Sequence, residues 1–255
     1  MGNVEDMDRM VESEFIDEVR DILDGTDVLI GNLRSHIIKP QDGIAQIRRD
    51  MFNMEMRATS LELPLVSIIA HRLGEYAADL KTVDDHILDD IQSFIDNIRS
   101  ILEGRVEASQ SAKVIRELPR KTFGDFNPGD VVVSNVEVLL IIPDKATCRI
   151  VERELAACGY RTSNIRSPFQ AIEVAVRTRP DMIIVSGVLD DLSGVDVASA
   201  LAAMPTTRDL PLAILTSYTL GHPSLDNLPA KVPVIRKGAQ FGEDLADAFS
   251  RLHIT

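Results

Sequence analysis

The chain has 255 residues, 45% of them hydrophobic and 26% charged, a globular composition with length enough for two domains. Its formal net charge of −13 argues against a nucleic-acid backbone as the main partner, because that affinity comes from clustered Lys and Arg. No run of about 18 apolar residues is present to cross a bilayer, and Met1-Gly2-Asn3-Val4-Glu5-Asp6 is acidic rather than a basic segment leading into an apolar core, so a cytoplasmic protein is expected.

The N-terminal half reads as helices. From Glu5 to about Arg34, Val11, Phe15, Val19, Ile22, Leu23, Leu29 and Leu33 recur at three- and four-residue steps, with Gly25 and Gly31 as soft points. Pro40 stops that pattern, and Gln41-Asp42 opens a second helix to about Ser60. Pro64 suits the first turn of a third helix reaching about Leu80. Asp84 caps a fourth, whose stripe is Ile87, Ile91, Phe94, Ile95, Ile98 and Leu102. Four amphipathic helices with short connections close most simply as an antiparallel four-helix bundle over residues 1–112. Residues 113–135, broken by Pro119, Gly124, Pro128 and Gly129, read as a linker with a small hairpin ending in Val131-Val132-Val133.

From Val136 the period changes. Val138–Ile142, Tyr160–Ser163, Leu212–Leu215 and Val232–Ile235 read as strands alternating with helices except for a loop between Leu215 and Val232, and Asp181-Met182-Ile183-Ile184-Val185-Ser186-Gly187 is the organising central strand. Residues 136–255 therefore read as a parallel α/β domain of flavodoxin-like (βα)5 order, whose site lies beyond the carboxyl ends of the strands. Ser186 stands at that edge. Cys148 and Cys158, with no nearby His, read as inert thiols, and no His pair has metal-ligand spacing. There is no glycine-rich phosphate loop and no Gly-x-Ser-x-Gly elbow, so neither a nucleotide-binding kinase nor a hydrolase is indicated.

The organising strand and the loop Asp190-Asp191-Leu192-Ser193-Gly194 resemble the centre of response-regulator receiver domains, and the resemblance extends from about Val136 to Leu252. It implies an acceptor Asp at the end of that strand, where this chain has Ser186, and a metal-binding pair of acids after the first strand, where it has Pro143-Asp144. Thr216 matches the family's hydroxyl residue and Lys237 its lysine, followed by Gly238 instead of Pro; Val234 takes an aromatic position. A hard divalent cation wants several carboxylate oxygens, and Ser cannot form the mixed anhydride that a phosphorylated Asp is. No metal or cofactor is therefore expected. Lys237 and Thr216 remain open either to a structural ion pair with Asp144 or to an anion.

A helical bundle joined to such a domain resembles phosphorelay proteins. Phe15–Leu23 is similar to the first helix of a histidine phosphotransfer domain, and Ile69-Ala70-His71-Arg72-Leu73 to the helix after the one that family phosphorylates. That alignment puts Asn53 at the family's acceptor position. On a helical wheel His71 faces solvent beside Ser67, Gly74, Glu75 and Ala78, which makes it a candidate phosphoacceptor oriented by Glu75, with Gly74 and Ala78 leaving room for a docking domain. Phe52 and Met56 form an apolar docking patch beside Asn53. The resemblance implies receiver domains or histidine kinases as partners, with a second copy of the chain as another. Two functions stay open: a relay of phosphate through His71, at most a histidine phosphotransferase, or an interaction protein in which both domains act by docking alone. A receiver-like module binding a small anion at Thr216 and Lys237 is a third.

Overall fold

A computed structural model describes residues 2–78, 80, 82–107, 110–121 and 134–254. Its contacts divide the chain into two units, Met1–Arg120 and Lys121–Thr255.

The first unit is helical. Helix α1 (Gly2–Arg34) runs through Gly25 and Gly31 without a break, α2 spans Pro40–Ser60, α3 Pro64–Ala78 and α4 Asp85–Leu102. Pro40 not only stops the preceding pattern but occupies the first turn of α2, where its missing N–H costs nothing. Asp84 caps α4 by accepting the Ile87 N–H at 2.9 Å. Helix α1 packs on α2 and α4, and α3 packs on α2 and α4. Phe15, Leu23, Ile47, Met51, Met54, Ile69, Leu73, Ile91, Phe94, Ile95 and Ile98 fill the space between them. The first residues of the expected linker are not a linker: Ser111–Glu117 forms α5, and Ile115 and Leu118 are buried. The expected hairpin ending in Val131-Val132-Val133 lies outside the described residues.

The second unit is a five-stranded parallel sheet of order β2-β1-β3-β4-β5, with β1 Glu137–Ile141, β2 Arg161–Asn164, β3 Met182–Ser186, β4 Leu212–Thr216 and β5 Val234–Arg236. This is the flavodoxin-like doubly wound order. Strands β1, β3 and β4 are buried throughout, which is why they read as unbroken apolar runs. Helices α6 (Lys145–Ala157) and α9 (Phe241–Arg251) cover one face, contributing Cys148, Val151, Leu155, Phe241, Leu245 and Phe249 to the core there. Helices α7 (Pro168–Thr178) and α8 (Gly194–Ala203) pack together, α7 against β1 and α8 against β3 and β4.

The fourth βα unit has no α-helix: between β4 and β5 the loop read from the sequence holds only a 3-10 turn, Pro223–Leu225. Gly221, Pro223, Pro229 and Pro233 punctuate that segment too densely for a helix to propagate.

At the end of β5, Arg236 gives its Nε and Nη2 to Asp244 of α9 at 2.7 Å each, and its backbone N–H to the same carboxylate at 2.9 Å. The guanidinium hydrogen bond is the main reason the Asp244 carboxyl is held below the usual carboxylate range. A carboxylate depressed in the folded state stabilises above its unfolded pKa of about 3.9, and that contribution is lost as pH falls through the folded value. Asp244→Asn is therefore expected to lower the denaturant midpoint of this unit at neutral pH and to flatten its acid dependence below about pH 4. Denaturation at both pH values checks it; an unchanged neutral midpoint would contradict it.

Candidate functional site

The carboxyl ends of β1, β3, β4 and β5 bring Asp144, Ser186, Thr216 and Lys237 to one edge of the sheet, as the sequence implied. What they do there differs from a metal and phosphate site. Asp144 is exposed and caps α6, its Oδ2 accepting the Thr147 N–H at 2.8 Å. Hydrogen bonds from the Thr147 side chain and then its backbone hold the carboxyl below the usual range, with the charge of Lys237 adding in the same direction. Lys237 is exposed, and no salt bridge joins it to Asp144; the ion-pair reading is corrected to a longer-range attraction. The cause is local, because the cap fixes the carboxylate toward the helix start.

Ser186 ends β3 and is 3% exposed. Next to it, the Gly187 N–H donates to the Leu215 carbonyl at 2.8 Å, and a Cβ on Gly187 would meet Thr216 Cβ and Oγ1 at 3.2 Å. Thr216 is equally buried; its Oγ1 accepts the Tyr218 N–H at 3.1 Å, and its carbonyl accepts the Lys237 N–H at 2.9 Å. Asp190 and Asp191 are exposed in the turn before α8. Asp196 is engaged by Ser193 in a capping box, and Ser193 pairs with Val188 to close the loop. Among the described residues no three His, Cys, Asp or Glu come together as a metal-holding group. The donor set does not fit a divalent cation: one carboxylate, already capping a helix, stands where several would be needed.

In the helical unit the expectation for His71 is corrected. Its side chain is 19% exposed, and Nδ1 lies 3.0 Å from Oε1 of Glu55 on α2, itself 17% exposed. The orienting carboxylate is thus Glu55, sixteen residues upstream, and not Glu75. The wheel failed because α3 packs on both α2 and α4 and is apolar over more than one stripe: Val66, Ile68, Ile69, Ala70, Leu73, Tyr76 and Ala77 are all buried. Ser67, expected at the surface, is buried, with Oγ 2.8 Å from the Thr59 hydroxyl. Gly74 and Ala78 are half-buried, and a Cβ on Gly74 would meet nothing within 4 Å. Phe52 and Met56 are 61% and 55% exposed, and Asn53 beside them is exposed as well.

The sequence reading missed the Tyr76 network. The Tyr76 hydroxyl donates to Asp90 Oδ2 at 2.6 Å, and His86 Nδ1 lies 3.3 Å from the same oxygen. Burial, then the hydrogen bond to Asp90, raises the Tyr76 pKa. Its one signal was a Tyr on an apolar stripe, which needs a partner for its hydroxyl.

No family model matches the chain. Its relatives include the transcriptional regulatory protein PrrA of Mycobacterium leprae, 33% identical over 88 residues, which are 34% of this chain and 37% of that protein. The response regulator PleD of Caulobacter vibrioides is 30% identical over 80 residues, 31% of this chain and 18% of PleD. The polar-differentiation response regulator DivK of Brucella anthropi is 24% identical over 83 residues, 32% of this chain and 68% of DivK. These relatives support a receiver domain. The chain spans about a third of the length of PrrA and under a fifth of PleD. Among solved structures, the receiver domain of the sensor histidine kinase PA1611 from Pseudomonas aeruginosa aligns with a TM-score of 0.42 at 24% identity, over 46% of this chain and 98% of that one. The chemotaxis response regulator CheY4 of Vibrio cholerae aligns at 0.41 and 19%, over 46% and 98%. Among the described residues no helix is long and apolar enough to cross a membrane.

Proposed function

We propose that the chain is a cytoplasmic two-component signalling protein that acts by docking: residues 136–255 form a receiver that takes no phosphoryl group, and residues 1–112 a four-helix bundle of the histidine-phosphotransfer kind. The observation that carries this is the end of β3, where a buried Ser186 occupies the acceptor place. A serine hydroxyl cannot form the acyl phosphate that gives receivers their chemistry, and Pro143 supplies no carboxylate for a cation. Asp144, bound to the Thr147 N–H, is not positioned as a substitute. In the bundle, the resemblance to histidine phosphotransfer helices sets Asn53 at their acceptor position. What remains on the helical unit is surface: the small residues Gly74 and Ala78 on α3, and Phe52 and Met56 on α2. Receiver domains or histidine kinases are the proposed partners.

A second reading, relay through His71, is favoured by one observation. Glu55 Oε1 lies 3.0 Å from Nδ1, a contact that orients the ring. Transfer from radiolabelled phosphorylated receivers to the full chain separates the two. Docking alone predicts no label on wild type, His71→Gln or Ser186→Ala. Acid-labile label lost only from His71→Gln would overturn it in favour of the relay.

A further inference from the structure

The outward face of α2 carries an apolar pair between a basic end and an acidic end. At about 100° per residue, Gly43, Ile44, Ile47, Met51, Met54 and Ala58 occupy the buried side, and Arg48, Arg49, Phe52, Asn53, Met56 and Ser60 the opposite arc. Phe52 and Met56 are one turn apart and more than half exposed, so nothing described in this chain covers them. Arg48 and Arg49 lie toward the N-terminal end of the arc. Glu62 lies just past its C-terminal end, exposed, with φ of 57° where the chain leaves the helix. Among the described residues neither Arg48 nor Glu62 makes an ion pair.

This order is self-complementary. We infer that α2 pairs antiparallel with α2 of a second copy of the chain about a two-fold axis level with Met54. Phe52 then faces Met56 of the second copy, and Met56 faces its Phe52, so each apolar side chain covers the other. Arg48 falls level with Ser60 of the second copy, within a side chain's reach of its Glu62. It also lies beside the carbonyl end of that copy's α2, where a cation is favoured. Every contact occurs twice, as an isologous interface requires. A parallel arrangement would instead set Arg48 and Arg49 against their own copies. One helix face is less than the roughly 1,200 Å² of a standard stable interface, so the dimer is weak, with a dissociation constant on the order of tens of micromolar.

Sedimentation of the full chain from about 1 to 500 µM tests it. Wild type is expected to pass from monomer to dimer across that range. Phe52→Ser with Met56→Ser should stay monomeric throughout. Arg48→Glu alone and Glu62→Lys alone should each weaken the dimer about 10-fold, a change of about 1.4 kcal/mol, and the two together should restore it, because the swapped charges meet again across the axis. All these positions are exposed, so unchanged circular dichroism separates loss of association from loss of fold. A wild type that stays monomeric, a dimer indifferent to Phe52 and Met56, or a charge swap that fails to restore would each overturn the inference. The first of these with Phe52 protected from solvent at every concentration would assign the patch to the chain itself.

Discussion

Gly194→Ala is expected to destabilise the α/β unit by about 3 kcal/mol, at the upper end of what overpacking costs. A Cβ at Gly194 would sit 2.1 Å from the Ser186 carbonyl oxygen, 2.9 Å from the Ser186 carbonyl carbon and 2.9 Å from Gly187 Cα. All three are backbone atoms of the strand end and its next residue, so no side-chain rotamer can relieve the clash. Nor can α8 retreat easily, because the Gly194 N–H is bonded to the Gly187 carbonyl at 3.1 Å and the Ser193–Asp196 capping box fixes the helix start. The closeness also explains how this edge of the sheet is shaped: α8 begins directly on the strand end that carries Ser186. Urea unfolding followed by circular dichroism measures the change. Gly242→Ala is the control, since nothing lies within 4 Å of its Cβ, and it should be neutral or stabilising by up to about 1 kcal/mol. Equal midpoints for Gly194→Ala and wild type would refute the packing described.

Phe94→Ala should cost the helical unit about 3–5 kcal/mol. Phe94 is 1% exposed on α4, which packs on both α1 and α3, and its ring meets Tyr76 at 5.6 Å between centroids in a tilted arrangement. Removing it leaves a cavity among side chains already fully buried, including Ile91, Ile95, Ile98 and Leu73. It also strips one side of Tyr76, whose hydroxyl is tied to Asp90 and cannot swing in to fill the space. Phe52→Ala, by contrast, removes a ring that is 61% exposed and should change monomer stability by no more than about 0.5 kcal/mol. A small loss at Phe94 would mean that α4 does not carry the core of this unit.

How far these features could be read in advance depended on whether one residue or a long pattern carried them. The strands at Val138, Met182 and Leu212 were legible because a sheet covered on both faces demands unbroken apolar runs. Pro64 and Asp84 marked the starts of α3 and α4 because termini need particular residues. The place of Ser186 at the end of β3 was legible through its position in that apolar run. The loop after the fourth strand was legible because Gly221 and the prolines at 223, 229 and 233 leave no uninterrupted run for a helix. The setting of His71 was misread because a helical wheel presumes one buried stripe, whereas α3 has two neighbours. Its partner Glu55 was beyond reach from sequence: pairing across sixteen residues depends on how α2 and α3 pack, which no local pattern encodes. The Asp144 cap shows the same limit. A lone acid after a strand reads as a site residue or as a helix cap, and only the Thr147 hydrogen bond decides that it acts as the cap.

The central claim is that the receiver unit carries no phosphoryl chemistry, and the mass of the intact chain after incubation with acetyl phosphate and Mg²⁺ tests it most directly. The account predicts an unchanged mass for wild type and for Ser186→Ala. A gain of one phosphoryl group on wild type, either acid-stable and absent from Ser186→Ala or hydrolytically labile and absent from Asp144→Asn, would contradict it and return the strand edge to the ranks of working phosphorylation sites.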